Sequence, residues 1–188
     1  MLFYTGANKS NAIQTNSARS LGGWISSSQI PNEVLNNIFG NIDYTIVSKN
    51  LKSNRVIAFK NTTGSIIPTF KIWTISPLDS FAKFKIGIIL NSIEPSCNFP
   101  YFEQLSSEAA SPMYVSLAEC EAEVNALTLS NIPIDQYVGI FIQRELIEAN
   151  NPDFGGASKT CEQFYEDFIT PPTISEKTED LIEIVISY

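Results

Sequence analysis

The chain has 188 residues, 44% of them hydrophobic and 11% aromatic, with a net charge of −8. That length and apolar content build one cored domain with appendages, and the acidic balance speaks against wrapping nucleic acid. Histidine is absent, so a histidine base, a Ser-His triad and a histidine metal ligand are excluded.

Cys97, Cys120 and Cys161 are odd in number, widely spaced and without a CxxC. They read as reduced thiols of a cytosol-made protein rather than as a disulfide or zinc framework. No apolar run is long enough to span a bilayer, and the first residues lack the basic-then-apolar pattern of a secretion signal. Charge is unevenly distributed. Residues 1–100 carry nine Lys and Arg against four Asp and Glu (+5), and residues 101–188 carry three against sixteen (−13). Mapped to different faces, the two halves would attract copies head to tail; interleaved, they would cancel.

In chain order, residues 1–30 read as an extended arm. Ser, Asn, Gly and Thr dominate Thr5–Ser28, with Leu2, Phe3, Tyr4, Trp24 and Ile25 as apolar anchors at its ends. Pro31–Phe39 reads as a short helix, with Val34/Ile38 and Leu35/Phe39 four apart and Gly40 as a stop. Strands follow at Arg55–Asn61, at Ile66–Ser76 with Pro68 near an edge, and at Phe81–Asn91. In the last, Ala82, Phe84, Ile86, Ile88 and Leu90 share one face and Lys83 and Lys85 the other. Asn61-Thr62-Thr63-Gly64 is a turn signal. Phe99–Phe102 is an aromatic knot. Ser116–Glu119 has capping-box spacing for a helical turn reaching about Val124, against a competing strand at Ala126–Leu129.

Tyr137–Leu146 alternates well, with Val138, Ile140 and Ile142 on one face. Residues 149–177 form an inserted loop and helix segment, with a short helix over Thr160–Phe168. Leu181–Tyr188 is a final strand that pairs in the chain's own sheet or adds to a neighbour's edge. Strands without intervening helices predict a mainly β fold, an antiparallel β-sandwich of immunoglobulin or jelly-roll type spanning 31–188 behind the arm.

The chemistry-bearing groups are few. Glu119, Glu121 and Glu123, and Glu162, Glu166 and Asp167, read as solvated acidic faces rather than catalytic pairs. Asn150, Asn151 and Asp153 match no complete calcium loop, and Gly22-Gly23 and Gly155-Gly156 lack a phosphate-loop context. No catalytic residue, cofactor or metal is expected. Trp24, Trp73, Tyr101 and Tyr114 are the aromatics available to a carbohydrate-binding module.

LFYTGA at 2–7, SLGGWISSSQIPN at 20–32 with NNIF at 36–39, RVIAFKNTTG at 55–64 and VGIFIQREL at 138–146 together resemble virion structural proteins of tailed bacteriophages, particularly crAss-like phages of Bacteroides. The resemblance covers residues 1–146 and the last strand. It implies a non-enzymatic particle component, assembled in the bacterial host cytoplasm and carried in the virion. Its expected place is a ring of the neck or tail below the portal, built from copies of itself by arm exchange and charge-complementary contacts. DNA would pass through its acidic channel without specific binding, and no membrane is involved. The alternatives are an auxiliary or decoration protein of the capsid shell, or a carbohydrate-binding sandwich of a fibre. Subunit-contact candidates are Phe3, Tyr4, Arg19, Trp24, Ile25, Arg144 and Tyr188.

Overall fold

The computed structural model describes residues 1–31, 38–39, 52–75, 82–90, 93–94, 99–146 and 183–188. The strands are β1 (Leu2–Ala7), β2 (Gly23–Gln29), β3 (Lys52–Lys60), β4 (Ile67–Ile75), β5 (Ala82–Leu90), β6 (Ile93–Glu94), β7 (Phe99–Phe102), β8 (Leu127–Ile132), β9 (Tyr137–Leu146) and β10 (Glu183–Ser187). One seven-stranded sheet runs β5-β9-β3-β1-β2-β7-β6, and a three-stranded sheet runs β10-β4-β8. Strand pairing is antiparallel throughout these sheets, and the expected mainly β, antiparallel sandwich is what forms.

The period-2 pattern dictates the core. Ile57 and Phe59 of β3, Phe84 and Ile86 of β5, and Val138, Ile140 and Ile142 of β9 face Ile67, Phe70 and Ile72 of β4 and Ile132 of β8. The Phe59 and Phe70 rings lie 4.9 Å apart across the two sheets. The opposite face of the large sheet is also covered. Val56, Ala58 and Phe141 pack there with Ile25, Phe102, Leu105 and Val115. The stretch after β7 crosses this face and then joins the sheets along one side. Ala118 exchanges both backbone hydrogen bonds with Ile86 of β5, and Thr74 of β4 donates to the Cys120 carbonyl at 2.8 Å. Burial pushes the Cys120 thiol up from its ordinary range, keeping it protonated.

Residues 1–30 are not an arm. β1 lies between β3 and β2, inside the large sheet. Their polar composition is spent on internal hydrogen bonds rather than on solvent. Thr5, Gln14, Ser20 and Ser26 are all buried. The Thr5 hydroxyl donates to the Val56 carbonyl and accepts from the Gly22 amide. The Gln14 side-chain amide donates to the Thr5 carbonyl and to Ser20 Oγ. Ser26 Oγ accepts from the Gln14 N–H and donates to its carbonyl.

The capping-box helix expected at Ser116 is absent as well. Ala118 is bridged to β5 in extended form, and only a 3-10 turn at Glu123–Asn125 precedes β8. The strand reading of this region is the one that holds. Pro68 lies outside the part of β4 that β10 covers, which is Lys71–Ile75, so its missing N–H breaks no β10 bond. Residues 32–37 of the first expected helix, and the whole 149–177 segment with its helix and its Asn150–Asp153 loop, lie outside the described residues.

The basic and acidic halves interleave. Lys52 and Lys85 meet Glu145, Arg55 meets Glu108, Lys60 meets Asp135, Lys71 meets Glu123 and Lys85 also meets Glu119. Each pair joins a cation of residues 1–100 to an anion of residues 101–188, so among the described residues the two halves pair within one subunit. The Lys60 ammonium is held above its usual range, chiefly by its hydrogen bond to Asp135.

Asn61 ties the turn after β3 to the turn before β9. Its side-chain N–H groups donate to the carbonyls of Ser65, Ile132 and Pro133, and its Oδ1 accepts from the Thr63 amide and hydroxyl. Asn61→Ala is expected to cost about 2–3 kcal/mol in a denaturant melt, because buried carbonyls lose their donor. Asn61→Asp, which keeps the shape and the acceptor but lacks the donors, is expected to cost at least as much.

Candidate functional site

The seven contact candidates fall into four environments. Tyr4 is buried between the sheets and Ile25 on the opposite face, so both are core residues. Phe3 is half-buried and meets Tyr137 edge to face at 6.4 Å. Arg144 is two residues short of the end of its strand. It sits within β9, half-buried, with its guanidinium 4.8 Å from the Phe39 ring centre. Arg55 lies over the same ring at 5.4 Å, so Phe39 takes two cations. Tyr188 is 63% exposed, and its ring lies 5.7 Å from that of Phe59.

Arg19 and Trp24 are the two candidates that the fold brings together. The Asn16 side chain caps a 3-10 turn at Ser17–Arg19 by accepting from the Ala18 amide at 3.0 Å. The turn presents Arg19 beside the end of β1. Trp24 stands opposite Ala7 of β1 on one side and Tyr101 of β7 on the other. The Trp24 and Tyr101 rings meet edge to face, with centroids 5.1 Å apart and planes at 81°. Together with Asn8, Leu21 and Gln104 they line a groove of about 440 Å³, whose lining also includes Gly6 and Gly23.

Polar groups converge on this groove. Arg19 Nη2 donates to Asn8 Oδ1 at 3.3 Å, and the Tyr101 hydroxyl donates to Gln104 Oε1 at 3.3 Å. Among the described residues no Asp or Glu lines it. The buried hydrogen-bond network of Thr5, Gln14, Ser20 and Ser26 lies directly beneath the loop that carries Arg19, so the groove is held in shape before any ligand arrives. Its chemistry is that of binding: an aromatic platform, two amide side chains and one guanidinium.

Tyr101 stood out in the sequence as part of an aromatic knot, whereas Asn8 and Gln104 carried no signal of their own. Trp73 is half-buried against the core and Tyr114 is exposed, and neither lines the groove. Among the described residues no cluster of His, Cys, Asp and Glu could hold a metal ion, and no helix is long and apolar enough to cross a membrane. Set against known proteins, the chain matches no family model, no curated protein and no solved structure.

Proposed function

We propose that this chain is a non-enzymatic structural subunit of a tailed-bacteriophage virion, a ring component of the neck or tail below the portal, and that copies are joined by exchange of β10. One observation carries the reading. Among the described residues β10 is an edge strand that pairs only with β4, and residues 147–182, a stretch of 36, separate it from β9 in the sequence. The sequence resemblance to virion proteins supplies the class. Residues 1–30 supply β1 and β2 to the large sheet, so the exchange assigned to an arm passes to the other end of the fold.

The physics favours exchange. β10 pairs with β4 from Glu183 opposite Ile75 to Ser187 opposite Lys71, and Ile186 packs on the core. A neighbour's β10 makes the same contacts, so exchange costs little enthalpy. A connection of that length reaches roughly 100 Å when extended, enough to cross to an adjacent subunit. The donated strand and the accepting edge are different surfaces, so the contact is heterologous, and it gives a ring when the rotation between neighbours closes and a filament when it does not. A net charge of −8 keeps passing DNA from sticking.

A cysteine staple tests this. Lys71→Cys and Ser187→Cys are cross-strand partners, introduced with Cys97→Ser, Cys120→Ala and Cys161→Ser. After oxidation, exchange gives covalent multimers on a non-reducing gel, and light scattering gives a closed oligomer. A monomer by light scattering overturns the assembly reading. An oligomer with only monomer-sized bands overturns the exchange and leaves assembly standing.

A further inference from the structure

We infer that the Trp24–Tyr101 groove is a binding site for a saccharide unit bearing a carboxylate, a role that stands independently of the assembly reading. Sugar rings present apolar C–H faces that stack on aromatic side chains, and hydroxyls that need directional hydrogen bonds. The groove offers both. Trp24 is half-buried and braced edge to face by Tyr101, while Asn8 and Gln104 supply amide donors and acceptors at the rim.

The acidic group is assigned from charge. Lys52, Arg55, Lys60, Lys71 and Lys85 each meet a carboxylate of this chain. Arg19, like Lys9 and Lys83, meets none among the described residues, but of these three only Arg19 lines the groove. Its contact is the neutral Asn8 oxygen, which leaves the rest of its planar fork to a ligand. A guanidinium kept unneutralised in a chain of net charge −8, at the mouth of an aromatic groove lined by no carboxylate, is matched by an anion that also offers a stacking face. With no carboxylate pair in the lining, the groove holds a glycan without cleaving it. The fixed loop beneath lowers the ordering cost of binding.

The test is titration calorimetry of the whole chain with sialyllactose, with a galacturonate oligomer, and with lactose as the neutral control. A synthetic peptide of residues 147–182 serves as the competing acidic occupant. At least one acidic saccharide is expected to bind with a Kd of about 1 mM or tighter. Trp24→Ala is expected to abolish that binding, and Arg19→Ala to weaken it roughly tenfold or more, toward the level of lactose. Arg19 is exposed, so Arg19→Ala keeps the fold and reads the site alone. No binding by either acidic sugar overturns the proposal, as does equal binding of lactose and sialyllactose. Peptide binding without sugar binding overturns it in favour of a contact between copies.

Discussion

Gly22→Ala is expected to lower stability by about 3–5 kcal/mol, enough to take a domain of ordinary stability close to its unfolding threshold. Gly22 sits at φ +95°, a region that L side chains avoid, and a Cβ there would overlap the Glu103 carbonyl. Both neighbours are fixed. The Gly22 amide donates to Thr5 Oγ1, and two residues beyond Glu103 the Leu105 amide donates to the Leu21 carbonyl at 2.7 Å. Relief therefore requires moving β1, the loop or the 103–105 backbone, and each move breaks a buried hydrogen bond. Gly64→Ala is the control. Gly64 has φ +77°, with nothing within 4 Å of its would-be Cβ, so only backbone strain of about 1–2 kcal/mol is expected. The difference between the two thermal melts isolates the overlap. Equal losses would mean that the two segments at Gly22 are not in contact.

Phe102→Ala is expected to cost about 3–5 kcal/mol and to loosen one face of the molecule more than the other. The Phe102 ring is fully buried and lies on Gly139 of β9, a position where any side chain would collide with it. With Phe141 it is one of the two buried aromatic rings of the cluster that holds Leu105 and Val115 against the large sheet. Removing it leaves a cavity between β9 and the covering stretch. Hydrogen exchange is expected to quicken first at the Leu105 and Ala118 amides, which anchor that stretch to Leu21 and Ile86. The amides of Phe70 and Ile72, on the far side of the other core, are expected to slow or quicken only with global stability. Uniform acceleration across both faces would show that the two clusters open as one unit. Phe102→Leu, which keeps most of the volume, is expected to cost less than Phe102→Ala.

The strands buried on one face were legible because alternation is a local signal. Ala82, Phe84 and Ile86 of β5, and Val138, Ile140 and Ile142 of β9, all face the inter-sheet core as their spacing requires. The opposite face was not legible. Gly87 and Gly139 look like weak strand positions in one dimension, yet each is where another segment comes into contact. The first thirty residues misled for a different reason. A Ser/Asn/Gly-rich stretch signals poor burial only when its polar groups have no partners, and Thr5, Gln14, Ser20 and Ser26 partner one another. At Ser116–Glu119 the Ser-x-x-Glu spacing fitted a helix start, but the edge of β5 offered Ala118 two backbone bonds, and tertiary pairing won. Half of the groove was visible in advance as Arg19, Trp24 and Tyr101. Their meeting was not, because β2 lies next to β7, more than seventy residues away in the chain.

The position of β9 sets an order of events during synthesis. β9 inserts between β3 and β5, pairing with nine residues of each. Until residue 146 has left the ribosome, these two long apolar strands have no sheet partner on the sides that face β9. A nascent chain paused between residues 90 and 137 thus carries two adhesive edges at once, and it is then that a chaperone would be needed most. β10 adds nothing to that hazard, since it pairs in the other sheet.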